Sequence, residues 1–117
     1  MVDRLDEFVT FATRLADETG PIARRYFEAR VAVDEKSDGT PVTIADREVE
    51  TTIRRAIQTT YPAHGIVGEE YGASGEDAEF VWVIDPIDGT AAFVTGVPLF
   101  GTLMALLRDG VPVLGII

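Results

Sequence analysis

Apolar residues recur at helical spacing along the first part of the chain: Leu5, Phe8, Val9, Ala12, Leu15 and Ala16, then Ile22, Ala23, Tyr26 and Phe27. That spacing predicts a helix over residues 3–30 with one stripe turned to a core. Gly20-Pro21 interrupts the stripe. Proline lacks an amide and crowds the preceding turn, so a kink or a break between two helices is expected there. Val31 to Glu35 switches to alternation and suits a short strand. Lys36-Ser37-Asp38-Gly39-Thr40-Pro41 is dense in turn formers and predicts a loop that could reach over a site.

Helical spacing returns from Thr43 to about Thr60, with Ile44, Val49, Ile53, Ala56 and Ile57 as the buried stripe. Thr43 suits the N-cap, with Asp46 three residues on in the capping-box position. Tyr61-Pro62 ends the helix, because a residue before proline avoids helical geometry. Gly65-Ile66-Val67-Gly68 predicts a short strand, and residues 71–79 a surface loop. Phe80 to Ile84 is an unbroken apolar run, as in a strand covered on both faces. Thr90 to Thr95 predicts a short helix. Leu99 to Leu107 and Val111 to Ile117 flank Arg108-Asp109-Gly110 and predict a hairpin. The chain stops within an apolar strand at Leu114-Gly115-Ile116-Ile117, an edge that invites aggregation unless covered. The expectation is a fragment, or a chain completed by a partner. The elements form one layered α/β unit, with two long helices on one side of a mostly antiparallel sheet.

The 117 residues, 46% of them hydrophobic, suffice for one domain with a core. A net charge of −10 argues against nucleic-acid binding, and no apolar run approaches membrane-spanning length. Acids occupy the N-terminus where a signal peptide needs a basic and then an apolar run, so a cytoplasmic location is the default. There is no cysteine. A metal would therefore sit on oxygen, which favours magnesium, calcium or manganese over structural zinc.

Two acidic groups follow strands. Asp85 and Asp88 bracket Pro86-Ile87 at the exit of the buried run, and a turn begun at Pro86 can bring both carboxylates to one point. Such carboxylates repel, and a shared cation keeps both ionised. The Ile87 side chain can enter the core while its carbonyl faces the cation. An ordinary Asp-Pro turn is the plain alternative. Gly89 allows close backbone approach, and a helix start at Thr90 offers amides to an anion. Thr90 serves equally as a helix cap. Glu69-Glu70 is either a solvated pair or one ligand beside a solvated neighbour. If the two strands are neighbours, their ends deliver acids to one sheet edge. Asp46 is either a helix-start acid favoured by the dipole or a carboxylate that orients Thr90 and a water. Lys36 is a solvated loop cation or a phosphate contact. His64 has no partner that would make it a base, and no role is assigned to it. Trp82 and the phenylalanines belong to the core.

The blocks Trp82-Val83-Ile84-Asp85-Pro86-Ile87-Asp88-Gly89-Thr90, Gly68-Glu69-Glu70 and Pro41-Val42-Thr43-Ile44-Ala45-Asp46 resemble the inositol monophosphatase family of metal-dependent phosphatases. The resemblance implies the N-terminal part of an αβαβα sandwich, commonly dimeric, whose remaining part supplies another aspartate and most of the alcohol pocket. It implies two or three magnesium ions, with manganese an alternative, and sensitivity to lithium. Glu69 would bind the first metal, Asp85 would bridge two, the Ile87 carbonyl would join the first and Asp88 the second. Asp46 and Thr90 would activate the attacking water. The Gly89 and Thr90 amides would hold the phosphate of a small phosphorylated alcohol, with Lys36, Glu69 and Asp88 also at the substrate. Ala91-Ala92 stand where members carry polar residues before Phe93, which affects substrate contacts and not the metal ligands. Gly96-Val97-Pro98-Leu99-Phe100-Gly101-Thr102-Leu103 resembles the histidinol-phosphate branch, ahead of inositol phosphate and then adenosine 3',5'-bisphosphate. The rival reading is an inactive metal-binding or interaction module whose last strand pairs with another chain.

Overall fold

A computed structural model describes residues 4–33, 40–98 and 100–117, and their side chains except at 30–33, 40–43, 90, 91 and 94. The element order is α1 (Arg4–Val33), α2 (Thr40–Thr60), β1 (Gly65–Gly68), β2 (Gly72–Ser74), β3 (Phe80–Asp88), α3 (Thr90–Thr95), β4 (Gly101–Arg108) and β5 (Val111–Ile116). The strands form one sheet in the order β2-β1-β3-β4-β5. β1 and β3 run parallel, and the other three pairs are antiparallel. The expected mostly antiparallel, layered α/β unit is what forms.

α1 runs unbroken through Pro21, so neither two helices nor a strand from Val31 is present. An interior proline costs about 3 kcal/mol or more. Burial on both sides of it offsets that cost. Phe8, Phe11, Ala12 and Leu15 lie before Pro21 and Ala23 after it, all in the core. The second half of α1 is also tied to α2, because Arg25 pairs with Glu48 at 2.6 Å and the Tyr26 hydroxyl donates to Glu48 at 2.9 Å. Residues 34–35 of the expected strand, and Lys36 with most of its loop, lie outside the described residues.

α2 starts at Thr40, so Thr43 is not its cap and Asp46 stands well inside the helix. Pro41 falls in the first turn, where its missing amide costs nothing. Ala45, Val49, Ile53 and Ile57 are wholly buried at four-residue steps. Burying each Val or Ile contributes about 1.5–3 kcal/mol. Ile44 is 40% exposed rather than part of the stripe, since it lies one position off that face.

The helix-facing side of the sheet carries Ile66, Trp82, Ile84, Met104 and Leu106, with Leu114 and Ile116 packed against them. Phe8, Phe11, Tyr61, Phe80 and Trp82 interlock there through edge-on ring contacts. Val81, Val83, Leu103, Ala105 and Leu107 point the other way, with Val81 buried and the others half-buried, so the second face of β3 is covered less completely than the first. Residues 72–74 of the expected loop pair with β1 as a fully exposed strand. The hairpin forms as expected, since Asp109 (φ 50°) and Gly110 (φ 82°) make the left-handed two-residue turn that matches strand twist.

Candidate functional site

Parallel pairing of β1 with β3 sets Gly68 level with Ile84. The next residues, Glu69 just past the end of β1 and Asp85 still paired within β3, therefore lie side by side toward the C-terminal ends of these strands, where open α/β sheets bind ligands. Pro86-Ile87 then forms a bulge rather than a turn. Asp85 pairs with Leu103 and Asp88 with Gly101, so one extra residue is absorbed between them. Pro86 and Ile87 are buried, and the Thr102 hydroxyl of β4 donates to the Pro86 carbonyl at 2.8 Å. Asp85 and Asp88 flank the bulge, near enough for the charge of Asp88 to be felt at Asp85. Gly89 follows in the left-handed region (φ 88°, ψ 42°), which a side chain would strain. The first bond of α3 runs from the Phe93 amide to the Gly89 carbonyl at 3.0 Å, so the amides of residues 90–92 stand ahead of the helical ladder. Phe93 is fully buried and packs between Phe27 and Phe100, anchoring α3 to α1.

Asp46 arrives from α2. Burial, followed by the charge of Glu70 and a hydrogen bond with it, and then Asp85 and Glu69, pushes its pKa up to about 7. Asp85 is pushed up to about 6 by burial, then by Glu69 and Asp88. The structure thus gathers Asp46, Glu69, Glu70, Asp85 and Asp88 at one edge. Among the described residues no three of them stand as a finished metal cage. They face one another in pairs instead, Asp46 with Glu70 and Asp85 with Glu69. Oδ1 of Asp46 and Oδ1 of Asp85 are nevertheless buried without a hydrogen-bond partner among the described residues. Buried polar atoms are almost always satisfied. Two orphaned carboxylate oxygens beside like charges fit a hard divalent cation, which satisfies oxygen and neutralises repulsion together.

The strained acids give a sign to pH dependence. A folded pKa above the unfolded 3.8 means extra protons bound in the folded state. The stability from Asp46 is full below about pH 4 and is lost as pH rises through about 7. In metal chelator, Asp46→Asn should therefore stabilise the protein at pH 8 by roughly 1–2 kcal/mol after solvent screening, and hardly at all at pH 4. His64 acts in the opposite sense, because burial lowers its pKa and stability falls as it protonates. The wild-type-minus-variant difference in urea unfolding removes that term, and a difference independent of pH would refute the assignment.

Of the other expected site residues, Ile87 is in the core. Lys36 and the Thr90 side chain lie outside what is described. His64 accepts the Trp82 indole N–H at 3.1 Å and stacks on Tyr61, a core role. Two residues were not singled out from sequence, Thr102 and Glu50. Glu50 was detectable, since it lies one helical turn beyond Asp46.

The model of the inositol monophosphatase family matches residues 4–117. The bifunctional phosphatase IMPL2 of Arabidopsis thaliana, a chloroplastic protein, is 47% identical over 97% of this chain and 33% of its own length. A histidinol-phosphatase of Mycobacterium tuberculosis is 45% identical over 91% of the chain and 41% of its own. An inositol monophosphatase structure from Zymomonas mobilis superposes with a TM-score of 0.80 at 44% identity, covering 98% of this chain and 44% of that one. The chain thus spans about a third to two-fifths of the length of these curated relatives. Among the described residues no helix is long and apolar enough to cross a membrane.

Proposed function

This chain belongs to the inositol monophosphatase family, and on that premise we propose that it carries the metal- and phosphate-binding part of a magnesium-dependent phosphomonoesterase. The observation that carries the reading is the pair of carboxylate oxygens, one on Asp46 of α2 and one on Asp85 of β3, buried without a hydrogen-bond partner among the described residues. Glu69, Asp85, Asp88 and the Ile87 carbonyl would hold the cations. A divalent ion there supplies charge stabilisation for a phosphoryl group and acidifies the attacking water.

The chain's own groups do the rest. Asp46 faces Glu70, Asp85 and Glu69, which places its carboxylate to orient water and take its proton. Thr90 would complete that relay. The backbone at Gly89 and Thr90 would hold the phosphate, with Lys36 adding a charge. Transfer would pass in line to water, with no protein nucleophile, so no cysteine or histidine is needed.

Histidinol phosphate is the proposed substrate. The segment Gly96 to Leu103 and the 45% identity to a histidinol-phosphatase both support it. The test uses the full reading frame containing this chain. Phosphate release with magnesium is compared among histidinol phosphate, inositol 1-phosphate and adenosine 3',5'-bisphosphate. Histidinol phosphate should lead in kcat/KM by about tenfold or more, which a pocket with one extra polar contact can deliver. An equal rate on inositol 1-phosphate would reassign the substrate. Magnesium binding with no phosphate release from any of the three would favour a metal-binding module instead.

A further inference from the structure

Glu50 is a wholly buried carboxylate on α2 that the proposed chemistry leaves without a role. Its Oε1 accepts the Glu70 amide at 2.9 Å and its Oε2 accepts the Tyr71 amide at 3.0 Å. Arg54 donates from Nε to Oε2 at 2.8 Å, and through Nη2 it also reaches the Gly72 carbonyl. The carboxylate fills the space over Gly68, where a Cβ would stand 2.3 Å from Oε2. One side chain therefore grips successive amides of the turn that carries Glu69.

Stability alone is a weak reason for this arrangement. A buried ion pair is often no better than well-packed apolar residues, because desolvation offsets the attraction. What it does provide is a fixed place for the backbone. Asp46 lies one helical turn before Glu50, so the two approach the same turn. Asp46 faces the Glu70 side chain, while Glu50 holds the Glu70 backbone. We propose that Glu50 is a positioning residue, which clamps residues 69–71 so that the Glu69 carboxylate is delivered beside Asp85. The proposal rests on the metal-site reading above.

The test compares wild type and Glu50→Gln in the full reading frame. Glutamine keeps the shape but presents an amide nitrogen where an oxygen accepted an N–H. Calorimetry with magnesium alone should show affinity weakened by about tenfold or more, as for outer residues that orient metal ligands. The magnesium concentration for half-maximal phosphate release should rise equally, with kcat at saturating magnesium within about threefold of wild type. Hydrogen exchange at residues 69–71 should speed up in the variant. Unchanged magnesium affinity would overturn the proposal, even if thermal stability fell, and so would lost kcat without a magnesium shift. If Glu50→Gln does not fold, Gly68→Ala displaces the carboxylate without removing its charge and should give the same shifts. If neither variant folds, the role is global and the proposal fails. Wild type that binds magnesium but releases no phosphate would end the functional reading while leaving the calorimetric comparison decisive for Glu50. Wild type that binds no magnesium would end both.

Discussion

Asp85→Asn is expected to lower kcat/KM for phosphate release, the proposed activity, by about 10³-fold, the equivalent of about 4 kcal/mol of transition-state stabilisation. The substitution keeps the shape and removes the charge. Asp85 faces both Glu69 and Asp88, and its Oδ1 is buried with no other partner among the described residues. An amide there cannot bind cations as a carboxylate does. Stability should move the other way. Burial and acidic neighbours raise the Asp85 pKa to about 6, so an ionised Asp85 strains the fold above that pH. In chelator at pH 8 the variant should melt no lower than wild type. Magnesium at 100 times its Kd should stabilise wild type by about 2.7 kcal/mol and the variant hardly at all. Steady-state phosphate release and thermal melts with and without magnesium check both halves. Undiminished activity would remove Asp85 from the metal set.

Trp82→Ala should cost about 3–5 kcal/mol of unfolding free energy, a large share of the 5–15 kcal/mol of an ordinary domain. Trp82 is wholly buried on β3, between β1 and β4. Its ring lies 5.6 Å from Phe11 and 6.4 Å from Phe8, so removing it opens a cavity beneath α1. The loss also strips His64 Nδ1 of its donor. Trp82→Phe should cost less, about 1–3 kcal/mol, because the ring mostly refills the space while the histidine acceptor stays unsatisfied. Urea unfolding measures both. A loss below about 1 kcal/mol for the alanine variant would show that the site collapses around the missing ring.

Near-neighbour patterns carried much of this fold. Helical spacing marked α2 because a helix repeats every 3.6 residues, and Val49, Ile53 and Ile57 of the expected stripe are wholly buried, with Ala45 rather than Ile44 completing the face. Asp109-Gly110 marked its hairpin because few residues tolerate a left-handed turn. The break expected at Pro21 does not form, for a reason that lies beyond near neighbours. The missing amide of Pro21 is a property of the residue, whereas the packing of Ala23 and the Arg25–Glu48 pair against α2 are long-range and outweigh it. The exposed strand β2 carried no apolar alternation, and only its neighbour β1 draws residues 72–74 into the sheet.

The sequence by itself determined which chemistry is available: no thiolate donor, acids placed directly after two apolar runs, and a glycine where the backbone must turn left-handed. Chain order specifies residue types and their local geometry, and these need nothing distant. Tertiary structure alone decided that the acids meet. The parallel register of β1 and β3 sets Glu69 level with Asp85, the bulge at Pro86-Ile87 separates Asp85 from Asp88, whose charge still reaches it, and α2 brings Asp46 and the Glu50 clamp to the same turn. Those placements depend on contacts between residues up to about forty positions apart. Only burial of a shared core makes such contacts favourable against the entropy of closing the loops between them.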